Sequence, residues 1–295
     1  MMPTVEKNQF GFYSVLNKPT EEEIEEYYSK KYYQEEKATY SHTYSEVELQ
    51  FIYNKIEQRF HYLIENHLIT PNKTYSLLDV GCGEGFALKY FFNKKWDVTG
   101  LDFSDFGCET NNPDVKQFLI TGNIYLNLQK ITQTGQKYDI IWLDNVLEHV
   151  TDPLELLKDL KQISTPTTGV LIIDVPNDFS RIQEKLIELN KVNQPFWVVL
   201  PDHLSYFNQE GLVNICKTAG WDKKGLLADF PIDWFLLNDA SNYINHKATG
   251  KQAHFSRMIV DNLMHDISIE KTNKLYEVLA EMGLGRSIIG FFLNK

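Results

Sequence analysis

The stretch that most limits what this chain can fold into runs from Tyr75 to Gly85. There a short apolar run, Tyr75-Ser76-Leu77-Leu78-Asp79-Val80, stops at Gly81-Cys82-Gly83-Glu84-Gly85. A run this short, closed by glycines, is the pattern of a strand buried on both faces. Glycines then let the backbone turn sharply and come close to a ligand. A helical pattern through Ala87, Leu88, Tyr90 and Phe91 follows, and then a second strand, Asp97-Val98-Thr99-Gly100-Leu101-Asp102. Further strands are predicted from Tyr138 to Leu143, Val170 to Val175 and Gly225 to Ala228, with helices from Pro153 to Ile163 and Gln209 to Ala219 between them. This alternation predicts an α/β fold, a doubly wound and mostly parallel sheet that binds its ligand at the carboxyl ends of its strands.

The flanking segments differ. Thr20 followed by Glu21, Glu22 and Glu23 reads as a capping box opening a helix that carries Tyr27 and Tyr28, with Tyr32 and Tyr33 close behind. Ile52, Ile56, Phe60, Leu63 and Ile64 recur at helical spacing between Glu46 and Leu68, and Pro71-Asn72-Lys73 ends the arm. Phe230 to Arg286 interrupts the alternation with mostly helical pattern, before Ser287-Ile288-Ile289-Gly290-Phe291-Phe292-Leu293 closes as an apolar strand. The expected organisation is an N-terminal helical arm over 1–70, a ligand-binding sheet domain over 71–229, a helical lid or substrate insertion over 230–286 and a final strand over 287–295.

Charge and cysteine usage narrow the function. With 29 basic against 40 acidic residues the formal charge is −11, and Lys30-Lys31 and Lys223-Lys224 are too short to form a phosphate-binding block. Nucleic acid is therefore not the expected partner. No apolar run reaches the ~18 residues of a membrane span, and Met1-Met2-Pro3-Thr4-Val5-Glu6 has no signal-peptide pattern, so the expectation is a cytoplasmic protein. Cys82, Cys108 and Cys216 form no CxxC pair, which points to small buried residues, with neither a structural metal site nor a disulfide framework.

The glycine spacing sets the ligand class. A dinucleotide fingerprint needs its third glycine where Phe86 stands, and no P-loop lysine follows. Asp102, ending the next strand, is placed to accept hydrogen bonds from a ribose diol. The pair suits a nucleoside without a pyrophosphate. Three segments then resemble class I S-adenosylmethionine-dependent methyltransferases: Leu77 to Gly85 their first motif, Gly100-Leu101-Asp102-Phe103-Ser104 their second, and Leu143-Asp144-Asn145-Val146-Leu147-Glu148-His149-Val150 the segment after their fourth strand. The resemblance covers roughly residues 70–230 and implies a Rossmann-like sheet. It also implies S-adenosylmethionine over Asp79, Gly81, Cys82, Gly83 and Gly85, its ribose on Asp102, its adenine near Phe103, Asn123 and Ile124, and its methionine end along Asp144, Asn145 and Val146. The plain structural alternative makes the glycines turn residues and Asp102 a helix cap.

The acceptor is read from other segments. An alcohol acceptor benefits from a general base, and histidine is the usual one. Pro201-Asp202-His203-Leu204-Ser205-Tyr206-Phe207 resembles a segment of sugar-modifying family members whose histidine faces the acceptor. This makes His203 the expected base, with Asp202 orienting it and Tyr206 binding the acceptor. His149, after Glu148, is the second candidate. Phe230-Pro231-Ile232-Asp233-Trp234, Ser241-Asn242-Tyr243, His254 with Arg257, and Gly283-Leu284-Gly285-Arg286 resemble methyltransferases of bacterial surface-polysaccharide pathways. That implies a sugar acceptor on a nucleotide, lipid or glycan, with Arg257 and Arg286 either holding phosphate or forming surface ion pairs. Tyr28 and Tyr33 either close over the acceptor or pack the arm. Sugar C-methyltransferases with an N-terminal zinc module carry a cysteine set that this sequence does not show there, so the resemblance implies O- over C-methylation. Two further readings stand beside the sugar enzyme. Glu148 to Pro153 also resembles ubiquinone-pathway O-methyltransferases, which implies a quinone-like small molecule. A non-catalytic binding module could keep the fold, although the intact loop and Asp102 argue against it.

Overall fold

A computed structural model of the chain describes residues 5–20, Glu23 and residues 43–295. Its centre is a seven-stranded sheet in the order β5-β4-β3-β6-β7-β10-β9. The strands are β3 (Ser76–Val80), β4 (Asp97–Asp102), β5 (Leu119–Thr121), β6 (Ile140–Asp144), β7 (Val170–Pro176), β9 (Trp221–Ala228) and β10 (Ser287–Asn294). β5, β4, β3, β6 and β7 are parallel neighbours, and β10 runs antiparallel to both β7 and β9. The mostly parallel, doubly wound architecture expected from the sequence is borne out. Leu77, Leu78, Val80, Ile141, Leu143, Leu171 and Ile173 are fully buried, because helices cover both faces of a parallel sheet.

The chain steps outward from β3 through β4 to β5, then returns to the other side of β3 with β6 and β7. Such a reversal opens a crevice at the carboxyl ends of the two central strands, here β3 and β6. The helix Glu46–Glu65 lies over this region. Ser45 and Glu48 close a capping box at its start, Asn54 donates to Asn262 at 3.0 Å across to the helix Gly250–Ile267, and Tyr62 stacks on Phe291 of β10 with ring centroids 4.1 Å apart. The helices Gly250–Ile267 and Ile269–Glu281 precede β10. The arm and the last third of the chain therefore meet on one side of the crevice.

The N-terminus differs from the expectation of a purely helical arm. β1 (Val5–Lys7) pairs with β2 (Tyr13–Val15), which pairs in turn with β8 (Ser205–Tyr206) in a small antiparallel sheet. With three, three and two residues, these strands are too short to show an alternating pattern. At Thr20 the capping-box bonds are present: Thr20 N–H donates to the Glu23 carboxylate at 2.9 Å and Glu23 N–H to the Thr20 hydroxyl at 3.2 Å. Tyr27, Tyr28, Tyr32 and Tyr33 lie outside the described residues. All three cysteines are buried thiols, and among the described residues no helix is long and apolar enough to cross a membrane.

Candidate functional site

The glycine loop is built to bring backbone, not side chains, to a ligand. Gly81, Gly83 and Gly85 have φ of +73°, +50° and +75°, values that L side chains rarely adopt. A Cβ on Gly81 would stand 2.3 Å from Val146 Cγ2, and one on Gly85 would stand 2.8 Å from Cys108 Sγ. Above Gly83 the space is open, with nothing within 4 Å. Asp102 is tied to this loop: one carboxylate oxygen accepts Gly83 N–H at 2.8 Å and the other accepts Ser104 N–H at 3.1 Å. Burial pushes the Asp102 carboxyl up against the pull of these N–H groups.

Beside the loop lies a cavity of about 580 Å³. Asp79, Gly81 and Cys82 form its β3 side, and Trp142, Asp144 and Asn145 its β6 side. Asp174 of β7, Ser287 and Ile289 of β10, and Asp229 continue it across the sheet. Phe51, Ile52, Lys55, Ile56 and Arg59 of the helix Glu46–Glu65 face them, with Tyr44, Glu84, Phe86, Ala87 and Arg257 completing the lining. Tyr44 OH donates to the Glu84 carboxylate at 2.7 Å and sets its ring edge-on to Phe86.

Arg59 is the hub of the polar part. Asp144 and Asp174 are register partners on adjacent parallel strands, so both side chains leave the same face of the sheet. Arg59 bridges them: Nη1 donates to Asp144 Oδ2 at 2.6 Å and Nη2 donates to Asp174 Oδ2. Its guanidinium lies 5.1 Å above the Trp142 ring, a placement that suits the planar cation. Burial pushes the Asp174 carboxyl up to about 8, opposed by Arg59 and reinforced by Asp144 and Asp229. Asp79 is likewise held well above the usual carboxylate range by burial, with Asp144 and Asp102 adding to it.

Of the residues expected at the cofactor, Asp79, Gly81, Cys82, Asp144 and Asn145 line this cavity. Gly83, Gly85, Asp102 and Val146 stand in or against the loop. Phe103 follows Asp102 and is half-buried. Asn123 is engaged as a helix cap, its side chain accepting Leu126 N–H at 3.1 Å ahead of Ile124.

The residues expected at the acceptor separate. Arg257 lines the cavity, stacked 5.1 Å over Phe51. Arg286 does not line it: its Nη1 holds the buried Asp178 carboxylate at 2.9 Å, so its charge already has a partner inside the fold. Tyr206 is fully buried in β8 and donates its hydroxyl to the His203 carbonyl at 2.9 Å, which commits it to packing in place of a substrate contact. His149 and His203 are not in the cavity lining but pack edge to face, ring centroids 4.8 Å apart. Asp202 reaches this pair through its backbone carbonyl, which accepts from His149 Nδ1–H at 2.6 Å. Nε2 of His149 then points at Glu148, 3.7 Å away, a carboxyl that burial holds well above its usual range. The donor atoms of Glu148, His149 and His203 lie within 4.8 Å of one another, close enough to share a cation. Lys55, Arg59, Asp174 and Asp229 were not singled out by the sequence reading. Their meeting depends on pairings such as Arg59 to Asp174, 115 positions apart, that no local pattern encodes.

The loop fits an adenosyl cofactor with a cationic end. Its backbone leaves open space above Gly83 where a side chain would intrude, Asp102 supplies a carboxylate beside it, and Asp79, Glu84 and Asp144 present acidic groups to the cavity. Comparisons agree. Residues 51–224, more than half of the chain, match the model of a methyltransferase domain. The mitochondrial ubiquinone biosynthesis O-methyltransferase of Arabidopsis thaliana is 23% identical over 186 residues, covering 59% of this chain and 56% of that one. The Saccharomyces cerevisiae counterpart is 27% identical over 137 residues, covering 45% and 44%. The chain thus spans about half the length of the curated relatives it matches. The crystal structure of an S-adenosylmethionine-dependent methyltransferase from Archaeoglobus fulgidus shares the fold, with a TM-score of 0.52 at 16% identity over 89% of this chain and 99% of that one. The chain belongs to the methyltransferase-domain family and shares the fold of an S-adenosylmethionine-dependent methyltransferase.

Proposed function

We propose that the protein O-methylates a hydroxyl on a ring-bearing, quinone-like small molecule. The observation that carries this reading is the cavity wall: Tyr44, Phe51, Phe86 and Trp142 surround space that opens directly on Gly81 and Cys82. Aromatic walls with a few convergent polar groups suit a planar ring and hold it against the cofactor loop. The relatives named above are ubiquinone biosynthesis O-methyltransferases, which supports this acceptor class over the sugar that the tail resemblance implied. Bound S-adenosylmethionine supplies a methyl group already activated by its sulfonium. What remains for the chain is to orient the acceptor and to remove its proton.

The test is incubation with labelled S-adenosylmethionine and two acceptor panels, catechols and hydroquinones in one and nucleotide sugars in the other, read by mass. The expected outcome is a catechol or hydroquinone heavier by one methyl group. Methylated nucleotide sugar with unmodified phenols would overturn the reading and restore the sugar acceptor.

A further inference from the structure

Two buried polar atoms in the described cavity lining have no hydrogen-bond partner, Asp174 Oδ1 and Arg257 Nε. A buried acceptor without a donor is costly, and such an atom in a cavity is placed for a ligand group. The other carboxylates facing Asp174 are occupied. Asp144 accepts from Asn145 at 2.7 Å on one oxygen and from Arg59 on the other. Asp229 Oδ1 accepts the backbone N–H groups of Arg286 and Ser287, both at 2.7 Å, and its Oδ2 forms an ion pair with Arg257 Nη1 at 3.9 Å.

Resting on the hydroxyl-acceptor reading above, we propose that Asp174 is the catalytic base, its Oδ1 receiving the proton of the acceptor hydroxyl. Arg59 is the positioning residue. By fixing Oδ2 it leaves Oδ1 as the oxygen of this cavity-lining residue without a partner, and its own plane is held by Asp144 and Trp142. The side chain of Asp174 is only 8% exposed, so water competes little for this oxygen. The step balances as follows. The acceptor O–H proton moves to Oδ1 and leaves its bonding pair on oxygen. An oxygen lone pair forms the bond to the methyl carbon, and the carbon–sulfur pair departs on sulfur. The products are the methyl ether, S-adenosylhomocysteine and protonated Asp174, which returns its proton to solvent.

The electrostatics agree with this geometry. Lys55 and Arg59 face Asp174 from the helix Glu46–Glu65, Asp144 from β6 and Asp229 from beyond β9, and burial dominates to lift the carboxyl to about 8. A phenol titrates near 10. A base with this raised proton affinity is better matched to it than an ordinary carboxylate. Only the ionised form can accept a proton, so turnover rises with pH through about 8 and levels off above it.

The experiment compares wild type, Asp174→Asn, Asp174→Glu and His203→Ala with catechol as acceptor, alongside infrared titration of the acceptor-free protein and calorimetric binding of S-adenosylhomocysteine. Asp174→Asn is expected to lower kcat by about 10²–10⁴, to abolish the pH step, and to bind S-adenosylhomocysteine within a few-fold of wild type. Asp174→Glu is expected to recover part of the rate and the step. In the infrared, one component of the protonated-carboxyl absorption, lost in wild type as pH rises through about 8, is expected to be missing in Asp174→Asn while the components of Asp79 and Glu148 remain. A pH step that survives in Asp174→Asn and vanishes in His203→Ala overturns the inference and leaves O-methylation intact. So does a wild-type profile that is flat across this range, which decides the matter even if the variants fail to fold. If wild type methylates no phenol at all, the proposed acceptor class fails first and this inference falls with it.

Discussion

A single methyl group decides the cofactor loop. Gly81 has a positive φ, and a Cβ there would stand 2.3 Å from Val146 Cγ2, so Gly81→Ala meets both backbone strain and a clash. The two costs are separable. Overpacking contributes about 1–3 kcal/mol, and Val146→Ala in the same chain removes that part while the φ penalty stays. Urea unfolding of both single variants and the double is expected to show the double recovering part, but not all, of the loss. Strict additivity would mean that the two side chains never meet. Because only glycine meets these demands, this part of the site was legible in the sequence. The side chains across the cavity were not. Arg59 sits in an apolar-periodic helix, where an arginine reads as a surface residue, and its partners are 85 and 115 positions away. Asp174 reads as a polar interruption in the strand run Val170-Leu171-Ile172-Ile173-Asp174-Val175. The histidines drew attention through their chemistry, but nothing local says which side chains share a cavity.

The same contrast holds for elements. β3, β6 and β7 were legible because strands buried on both faces are nearly continuous apolar runs. β5 was not: it is three residues long, at the sheet edge, and two of them are exposed. β9 is longer than the apolar Gly225 to Ala228 suggested, since Asp222, Lys223 and Lys224 also belong to it. It forms the opposite edge of the sheet, where charged side chains discourage pairing with another chain. The pair Lys223-Lys224 thus has a structural reason. The helix Glu46–Glu65 is joined to β6 and β7 through Arg59, and this joint has a pH signature. Burial lifts the Asp174 carboxyl in the fold far above the value near 3.9 that it has in the unfolded chain. A carboxyl raised in this way adds stability that is complete below its unfolded pKa and fades as pH climbs through the folded one. Arg59→Ala removes the cation that opposes the rise, leaving two facing carboxylates. The loss expected above pH 8 is about 3–5 kcal/mol, shrinking on acidification as Asp174 takes up its proton. Urea unfolding at about pH 5 and about pH 9 measures both ends of this range. An equal loss at both would show that Arg59 acts by packing alone.

At the scale of the whole molecule, the cavity is closed by segments far apart in sequence. Its floor comes from the central strands and its wall from the helix Glu46–Glu65. Arg257 reaches in from the helix Gly250–Ile267, and Ser287 and Ile289 belong to β10. β10 lies between β7 and β9, and Phe291 in it is fully buried and stacked on Tyr62 of the arm helix. Gly225, opposite Phe291 in the β9–β10 register, allows this contact, because a Cβ there would run into the Tyr62 hydroxyl at 1.7 Å. The arm, the sheet and the last strand therefore share one core instead of docking as separate units, so they should unfold together. Phe291→Ala is expected to destabilise the whole domain by about 3–5 kcal/mol, with tryptophan fluorescence and hydrogen exchange in residues 46–65 reporting the same loss. Trp142 lies beneath Arg59 and Trp96 against Phe60 and Phe91, so their fluorescence follows the joint between arm and sheet, while exchange is read separately in residues 46–65 and in β3, β6 and β7. An arm that keeps its own slower exchange after the sheet has lost stability, or that opens in a separate earlier transition in wild type, would show that helix and sheet are independent cooperative units. Binding of S-adenosylhomocysteine would then protect the sheet and leave the arm unchanged. In a single core it slows exchange in both, because a ligand that binds only the folded state stabilises everything that folds with the site.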